Sequence, residues 1–290
     1  MLGKTNTVHP GYGPLEIIGR IISGRKRVML TGTTYLPFRG QILARGGSRK
    51  GYKFELTTNS PLQKGLTLHE DGAVSGIPLQ GGSYSRKVRV TDSDGNTAEI
   101  TGSFSVTPYI LNWKVTDYKY VYDGKPHTVT LTPTNIPDVP GMPEEAKHLE
   151  QGVDYSPRYS IPNAGYAYEA VMPATYGIFP IMLNTNLGYS AGSTGGALII
   201  SASEDYTFNV QNETVKYDGR PHEIVPEIYS NFKDDDVIKY TTKYRGTNGT
   251  VYTESETPPT EVGKYYVTIT VKSGCGYKPK TKYATLTITE

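Results

Sequence analysis

The chain has a single cysteine, Cys275, among 290 residues, so no disulfide can close within it, and its stability has to come from packing and hydrogen bonds. No stretch approaches the roughly 18 to 20 apolar residues that a membrane-crossing helix requires. The N-terminal stretch does not read as a secretory leader either: Ile17-Ile18 and Ile21-Ile22 are interrupted by Gly19 and Arg20, and no small-residue cleavage site follows an apolar run. If Met1 is the natural start, the expectation is a chain not exported by that route. There is no nucleophile elbow, no glycine-rich phosphate loop and no His or Cys pair at metal-ligand spacing. His9, His69 and His148 are scattered, so a catalytic triad has nothing to rest on. These absences lead us to expect a non-enzymatic protein without cofactors.

What the chain has in quantity is 24 Tyr, 32 Gly and 20 Pro, a composition of strand formers and turn formers. Its C-terminal two thirds also repeats itself. Tyr122-Asp123-Gly124-Lys125-Pro126-His127 returns as Tyr217-Asp218-Gly219-Arg220-Pro221-His222, and 153–159 (VDYSPRY) echoes 238–244 (IKYTTKY). The stretch 173–181 (PATYGIFPI) is aligned with 259–267 (PTEVGKYYV), and Gly188-Tyr189 with Gly276-Tyr277. A period of about 90 residues is a whole domain rather than a solenoid unit, so each copy must bury its own core. His127 and His222 hold matching places, which a turn or strand contact explains better than catalysis does. Most tyrosines fall at alternating strand positions, where cross-strand packing is their expected role.

Charge is distributed unevenly. From Met1 to Lys53 ten Lys and Arg stand against Glu16 alone, a net of +9, whereas the remaining 237 residues carry 20 basic and 27 acidic groups. A basic front end on an acidic body fits an electrostatic anchor, and the anchoring candidates are Arg20, Arg25, Lys26, Arg27, Arg39, Arg45, Arg49 and Lys50. The same charges also serve to protect a strand edge from mispairing. Nucleic acid is not expected as a partner, since no binding motif or interleaved aromatics accompany the cluster. For calcium, Asp92 and Asp94 are weak candidates, as is the triplet Asp234-Asp235-Asp236; neither group matches a full ligand loop, and Asp94-Gly95 already reads as a hairpin turn.

Along the chain, residues 1–34 read as a basic arm, with a hairpin about Ser23-Gly24-Arg25. From Tyr35 onward, short alternating strands are expected at Tyr52–Leu56, Leu66–Leu68, Ala73–Gly76, Tyr84–Val90 and Ala98–Val106, with turns at Asp71-Gly72 and Asp94-Gly95. The ordered motifs 62–68 (LQKGLTL), 72–78 (GAVSGIP), Gly82-Ser83-Tyr84 and 88–95 (VRVTDSDG) resemble the He-PIG immunoglobulin-like domains of bacterial surface and phage proteins; Ile77 replaces the usual Thr of that turn. The doubled region, with its Tyr-Asp-Gly-Lys-Pro segment and its Gly-Tyr before a final alternating strand, resembles MBG-type bacterial Ig-like domains.

The expected architecture is therefore all-β: tandem Ig-like β-sandwiches at 35–107, 108–202 and 203–290 behind the N-terminal arm. Within 108–202, Pro143 to Glu150 reads as an inserted short helix, and Pro180 as the mark of an edge or bulged strand, because it cannot donate to a ladder. The resemblance to two surface-type module families, taken with the basic front end and an N-terminus that does not read as a leader, leads us to expect a bacteriophage virion structural protein, either capsid decoration or tail accessory. It would be docked through residues 1 to about 50 to other virion proteins within a symmetric assembly, and would display modules toward host glycans or mucus. The competing expectation is a fragment of a bacterial cell-wall adhesin.

Overall fold

The computed structural model describes residues 12–57, 59–161, 164–232 and 237–290. Among them, regular structure is strand throughout except for one four-residue helix, α1 (Glu144–Lys147), and a 3-10 turn at Thr185–Leu187. Tandem β-sandwiches follow one another along the chain, and in each an early strand pairs parallel with the last strand.

The first sandwich is built of β1 (Glu16–Ile17), β2 (Arg20–Ile22), β3 (Arg25–Thr33), β4 (Phe38–Gln41), β5 (Ala44–Arg45), β6 (Lys53–Leu56), β7 (Leu66–Leu68), β8 (Ala73–Gly76), β9 (Gly82–Thr91) and β10 (Thr97–Thr107). One sheet runs β2-β3-β10-β9-β6 and faces a smaller sheet β4-β8-β7. Alternation puts Val88, Val90, Ile100, Phe104 and Val106 inward from the large sheet, and Phe38, Leu66 and Val74 inward from the small one. The strands and the Asp-Gly turns fall where the sequence places them. The arm does not. Leu15, Ile17 and Val28 are buried in this core, and β3 pairs parallel with β10 from Arg27↔Thr101 to Thr33↔Thr107. At about 1.5 to 3 kcal/mol for each fully buried aliphatic side chain, these residues are structural members of the sandwich. The expected hairpin does form, β2 against β3, through a two-residue turn at Ser23 and Gly24 with φ of 48° and 72°.

The next region contains β11 (Tyr109–Ile110), β12 (Trp113–Thr116), β13 (Lys119–Val121), β14 (Thr130–Pro133), β15 (Tyr155–Ile161), β16 (Gly165–Ala167), β17 (Ala174–Met182), β18 (Tyr189–Ser190) and β19 (Ala197–Ser201). Its main sheet is ordered β13-β19-β17-β15-β16. Pro180 lies in β17, an interior strand rather than an edge. The conflict is avoided because the ladder to β19 runs only from Ala174↔Ile200 to Gly177↔Ala197 and ends before the proline. The last sandwich has β20 (Tyr206–Asn209), β21 (Glu213–Lys216), β22 (Glu227–Ser230), β23 (Tyr240–Thr247), β24 (Gly263–Val271) and β25 (Thr281–Thr289), with a four-stranded sheet β21-β25-β24-β23 and a pair β20-β22.

The repeat is visible atom by atom. Asp123 Oδ1 accepts from the Lys125 amide at 2.9 Å and meets His127 Nε2 at 2.9 Å; Asp218 Oδ1 does the same with the Arg220 amide at 2.9 Å and His222 Nε2 at 3.1 Å. Two residues past each histidine, a backbone amide donates to a buried tyrosine hydroxyl: Val129 to Tyr159 at 2.7 Å, and Ile224 to Tyr244 at 3.2 Å. The register corrects one alignment. Tyr176 opposes Leu198 and Tyr265 opposes Leu286, and each hydroxyl donates to the carbonyl four residues back, Met172 at 2.6 Å and Glu261 at 2.7 Å. Tyr176 is thus the counterpart of Tyr265, and the matched prolines 173 and 259 gave a register displaced from this one.

The chain divides into two compact units, one of Met1–Lys114, Leu131–Ser156 and Pro180–Thr194, the other of Val115–Thr130, Pro157–Phe179 and Gly195–Glu290. The segment 108–202 contributes to both, and each unit contains one junction between successive sandwiches. In the first unit Tyr35, Leu111, Met142, Ala146, Leu187 and Tyr189 form one buried cluster. Tyr35 donates to the Leu187 carbonyl, Thr34 Oγ1 donates to the Gly188 carbonyl at 2.5 Å, and the Tyr109 amide donates to Gly188 O at 2.9 Å. The helix expected in the insertion is α1; its Ala146 is buried, and its carbonyl accepts from the Tyr189 hydroxyl at 2.8 Å.

In the second unit the same plan recurs. Tyr122 stands edge-on to Tyr277 at 5.5 Å between ring centres, and the Ser203 amide donates to Gly276 O at 2.9 Å. Each Gly-Tyr therefore receives the incoming linker on its backbone and a tyrosine of the preceding module on its glycine.

Candidate interaction surface

The sequence-selected cations separate into groups once strands place them. Lys26 and Arg45 both bind Glu16, the former at 2.6 Å, and these two hydrogen-bonded cations hold the Glu16 carboxyl below its ordinary value. Arg49 and Lys50 belong to a loop before β6, where Arg49 has φ of 58° and its guanidinium lies 4.4 Å from the Tyr12 ring centre. Arg39 is exposed on β4, opposite Ser75.

Arg20, Arg25 and Arg27 differ from these. They occupy the β2–β3 hairpin, and none has an ion-pair partner among the described residues. Val28 points into the core, so Arg27 points outward, and the antiparallel register sets Arg20 directly opposite it. Thr101 continues the row on β10, and Lys87 completes it on β9. Three cations thus share one line across four strands spaced about 4.8 Å apart. Like charges directly opposite one another are unfavourable in a sheet. The nearby acids are engaged elsewhere: Glu99 at 2.7 Å and Glu55 at 3.3 Å both sit on Arg89. Lys87 was missed in the sequence because its neighbourhood with Arg27 depends on two ladders and not on spacing along the chain.

Apolar side chains are exposed beside the row, Met29 at 51% and Ile18 at 45%, and Ile21 is 70% exposed on the other face of β2. Beyond the three residues that β2 covers, the edge of β3 borders a groove of 360 Å³ lined by Ile18, Arg20, Arg27, Met29, Thr31 and Gln41 among others.

The calcium candidates have other employment. Asp92 is buried, and its two oxygens accept from the amides of Ser48 at 2.8 Å, Asp94 at 3.0 Å and Asn96 at 2.9 Å, and from Asn96 Nδ2 at 3.0 Å. Burial alone would raise its carboxyl, but the four donors together hold it below the ordinary value. Its observed role is to fasten the loop after β9 to the loop before β6. Asp94 follows in the same turn, where Ser93 Oγ lies 3.5 Å from its Oδ1. Asp234-Asp235-Asp236 lies outside the described residues. Among the described residues no group of three or more His, Cys, Asp or Glu is placed to hold a metal, and no helix is long and apolar enough to cross a membrane.

No family model matches the chain, and no curated protein does. Solved structures with a similar course of strands include the human desmocollin-1 ectodomain, at 10% identity and a TM-score of 0.29, over 91% of this chain and 60% of that one. Drosophila N-cadherin EC1-3 is similar at 13% identity and 0.29, over 93% of this chain and 99% of that one. The eight N-terminal Ig domains of Down syndrome cell adhesion molecule are similar at 13% and 0.37, over 93% and 36%. The chain thus spans 60% of the desmocollin-1 ectodomain it is compared with. Its own sheets establish the class: an all-β protein of tandem Ig-like sandwiches.

Proposed function

We propose that the protein is a non-enzymatic structural component of a bacteriophage virion, a capsid decoration or tail accessory protein. It is held to the particle through the basic face of its first sandwich and presents its Ig-like modules outward, toward host-surface glycans. The observation that carries the reading is the row Arg20, Arg27 and Lys87 on one outer sheet face, without a carboxylate partner among the described residues. Lining up like charges across strands costs stability, and an acidic partner surface removes that cost on docking. The resemblance of 62–95 to modules of phage and bacterial surface proteins supplies the setting.

The test is quantitative mass spectrometry of purified phage particles from the source, for the wild type and for an Arg20→Glu/Arg27→Glu variant. The expected result is the wild-type chain at a fixed ratio to the major capsid protein and the variant depleted at least tenfold. Recovery on bacterial envelopes with absence from particles would overturn the proposal in favour of a cell-wall adhesin. Deleting residues 1–30 is unsuitable as a test, because it removes Leu15, Ile17 and Val28 from the first core.

A further inference from the structure

We propose that the open edge of β3, from Val28 to Thr33, is a strand-addition site that takes an extended segment of an acidic partner protein. The inference rests on the anchoring role given above and deepens it by naming how the partner is held.

The edge follows from the ladders. β3 is paired along one side with β10, but on the other side β2 covers only Arg25 to Arg27, in the pairs Ile22↔Arg25, Ile21↔Lys26 and Arg20↔Arg27. At Gly19 the chain turns away, and the Ile18 amide is given to Leu43 O at 2.8 Å. A two-residue turn closes the hairpin between Ile22 and Arg25, so pairing alternates from a hydrogen-bonded pair there to another at Arg20↔Arg27. By the same alternation the amides and carbonyls of Met29 and Thr31 face the uncovered side. Among the described residues no strand pairs there.

Open edges are usually guarded by Lys, Pro or a bulge. This one is not. Met29 and Thr31 are uncharged and exposed, and the groove beside them has an aliphatic wall in Ile18 and Leu30. Charge is concentrated at one end, where Arg20 and Arg27 stand. Main-chain pairing would supply affinity, and pockets for alternate side chains would supply selectivity. The occupant is therefore an extended segment with aliphatic residues on its groove-facing side and Asp or Glu on the side that meets Arg20 and Arg27. An anionic glycan would satisfy the cations and leave the aliphatic wall and the backbone donors without a purpose.

The experiment is a selection from a displayed random decapeptide library on the full chain, followed by hydrogen exchange on the complex with the best synthetic peptide. We expect enriched sequences that alternate aliphatic and acidic residues, and slowed exchange across residues 28–33. Arg20→Glu/Arg27→Glu should weaken that peptide at least tenfold, and a Lys-for-Glu version of the peptide should recover the loss. Met29→Pro removes an edge amide without removing charge and should abolish binding. Should Met29→Pro not fold, the charge-reversal pair and the exchange pattern decide the matter alone. Failure to enrich any such sequence, equal binding by the charge-reversed variant, or full competition by heparin without protection of 28–33 would each overturn strand addition. Particle-bound protein together with a failed selection would leave the anchor standing without this mechanism; selected peptides with no particle association would leave the groove standing and remove the virion.

Discussion

At the scale of single residues, polar side chains in this protein are used as structural pins, and that makes their removal predictable. Tyr244 is buried, and its hydroxyl accepts the Ile224 amide. Tyr244→Phe leaves that amide buried without a partner, which should lower stability by about 1 to 3 kcal/mol in urea unfolding of the full chain. Burial pushes the Tyr244 hydroxyl up to about 12. A group raised on folding contributes stability that is present below its unfolded value, about 10, and lost as pH rises through the folded value. The wild type should therefore lose stability above pH about 10 more steeply than Tyr244→Phe does.

Asp92 works in the opposite direction. Its carboxyl is depressed on folding, so its contribution is present above the ordinary value near 3.9 and disappears as pH falls through the folded value. In melts recorded from pH 7 to pH 2, Asp92→Asn should show a flatter decline than the wild type; parallel curves would remove the four-donor explanation. None of these partners is legible from sequence spacing. Asp92 was visible only as one of two acids before a glycine, and its link to Ser48 exists because two loops meet across the sheet.

At the scale of elements, what could be read in advance was what is decided locally. The strands from Lys53 to Thr107 were legible because Asp-Gly turns and alternation are properties of a few neighbouring residues. The hairpin that contains β3 was legible in the same way, but its membership of the sandwich was not, since that is set by a parallel ladder to β10 at the far end of the sandwich, and long-range pairing leaves no local mark. Pro180 misled for the same reason: the rule about prolines holds at each hydrogen-bonding position, and sequence does not reveal where the neighbouring ladder stops.

The Gly-Tyr pairs were legible as a repeat but not as junctions. Their role gives a quantitative contrast. A Cβ at Gly188 would lie 3.2 Å from the Tyr35 hydroxyl, which is tight but tolerable, whereas at Gly276 it would collide with the Tyr122 ring. Both glycines have positive φ, 74° and 90°, so alanine costs about 1 to 2 kcal/mol at either from the backbone. Gly276→Ala should thus cost clearly more than Gly188→Ala. The excess should vanish in a Tyr122→Ala background, since a double-mutant cycle isolates the pairwise contact. Equal costs in both backgrounds would mean that the ring does not rest on the glycine.

At the scale of the whole molecule, the distribution of core residues decides which pieces survive alone. The core of the last sandwich is made within the stretch after Ser203: Phe208, Tyr244, Tyr265, Val267, Ile269, Leu286 and Ile288 are all buried, and the strand that opens the four-stranded sheet, β21, closes on β25 of the same stretch. What a fragment of 203–290 would lack is Tyr122, which meets Tyr277 and Phe232 at the junction. That contact is worth a few kcal/mol for a buried aromatic, less than the stability of an ordinary domain. The fragment is therefore expected to melt cooperatively, at a lower temperature than the corresponding transition of the full chain. Removal of residues 1–30 acts differently. It takes most of β3 and three core side chains from the first sandwich, so calorimetry should show loss of that sandwich's transition while the transition matching the 203–290 fragment persists. A 31–290 chain that kept every transition would show that β3 contributes nothing to the first core, and the basic hairpin would then be an arm after all.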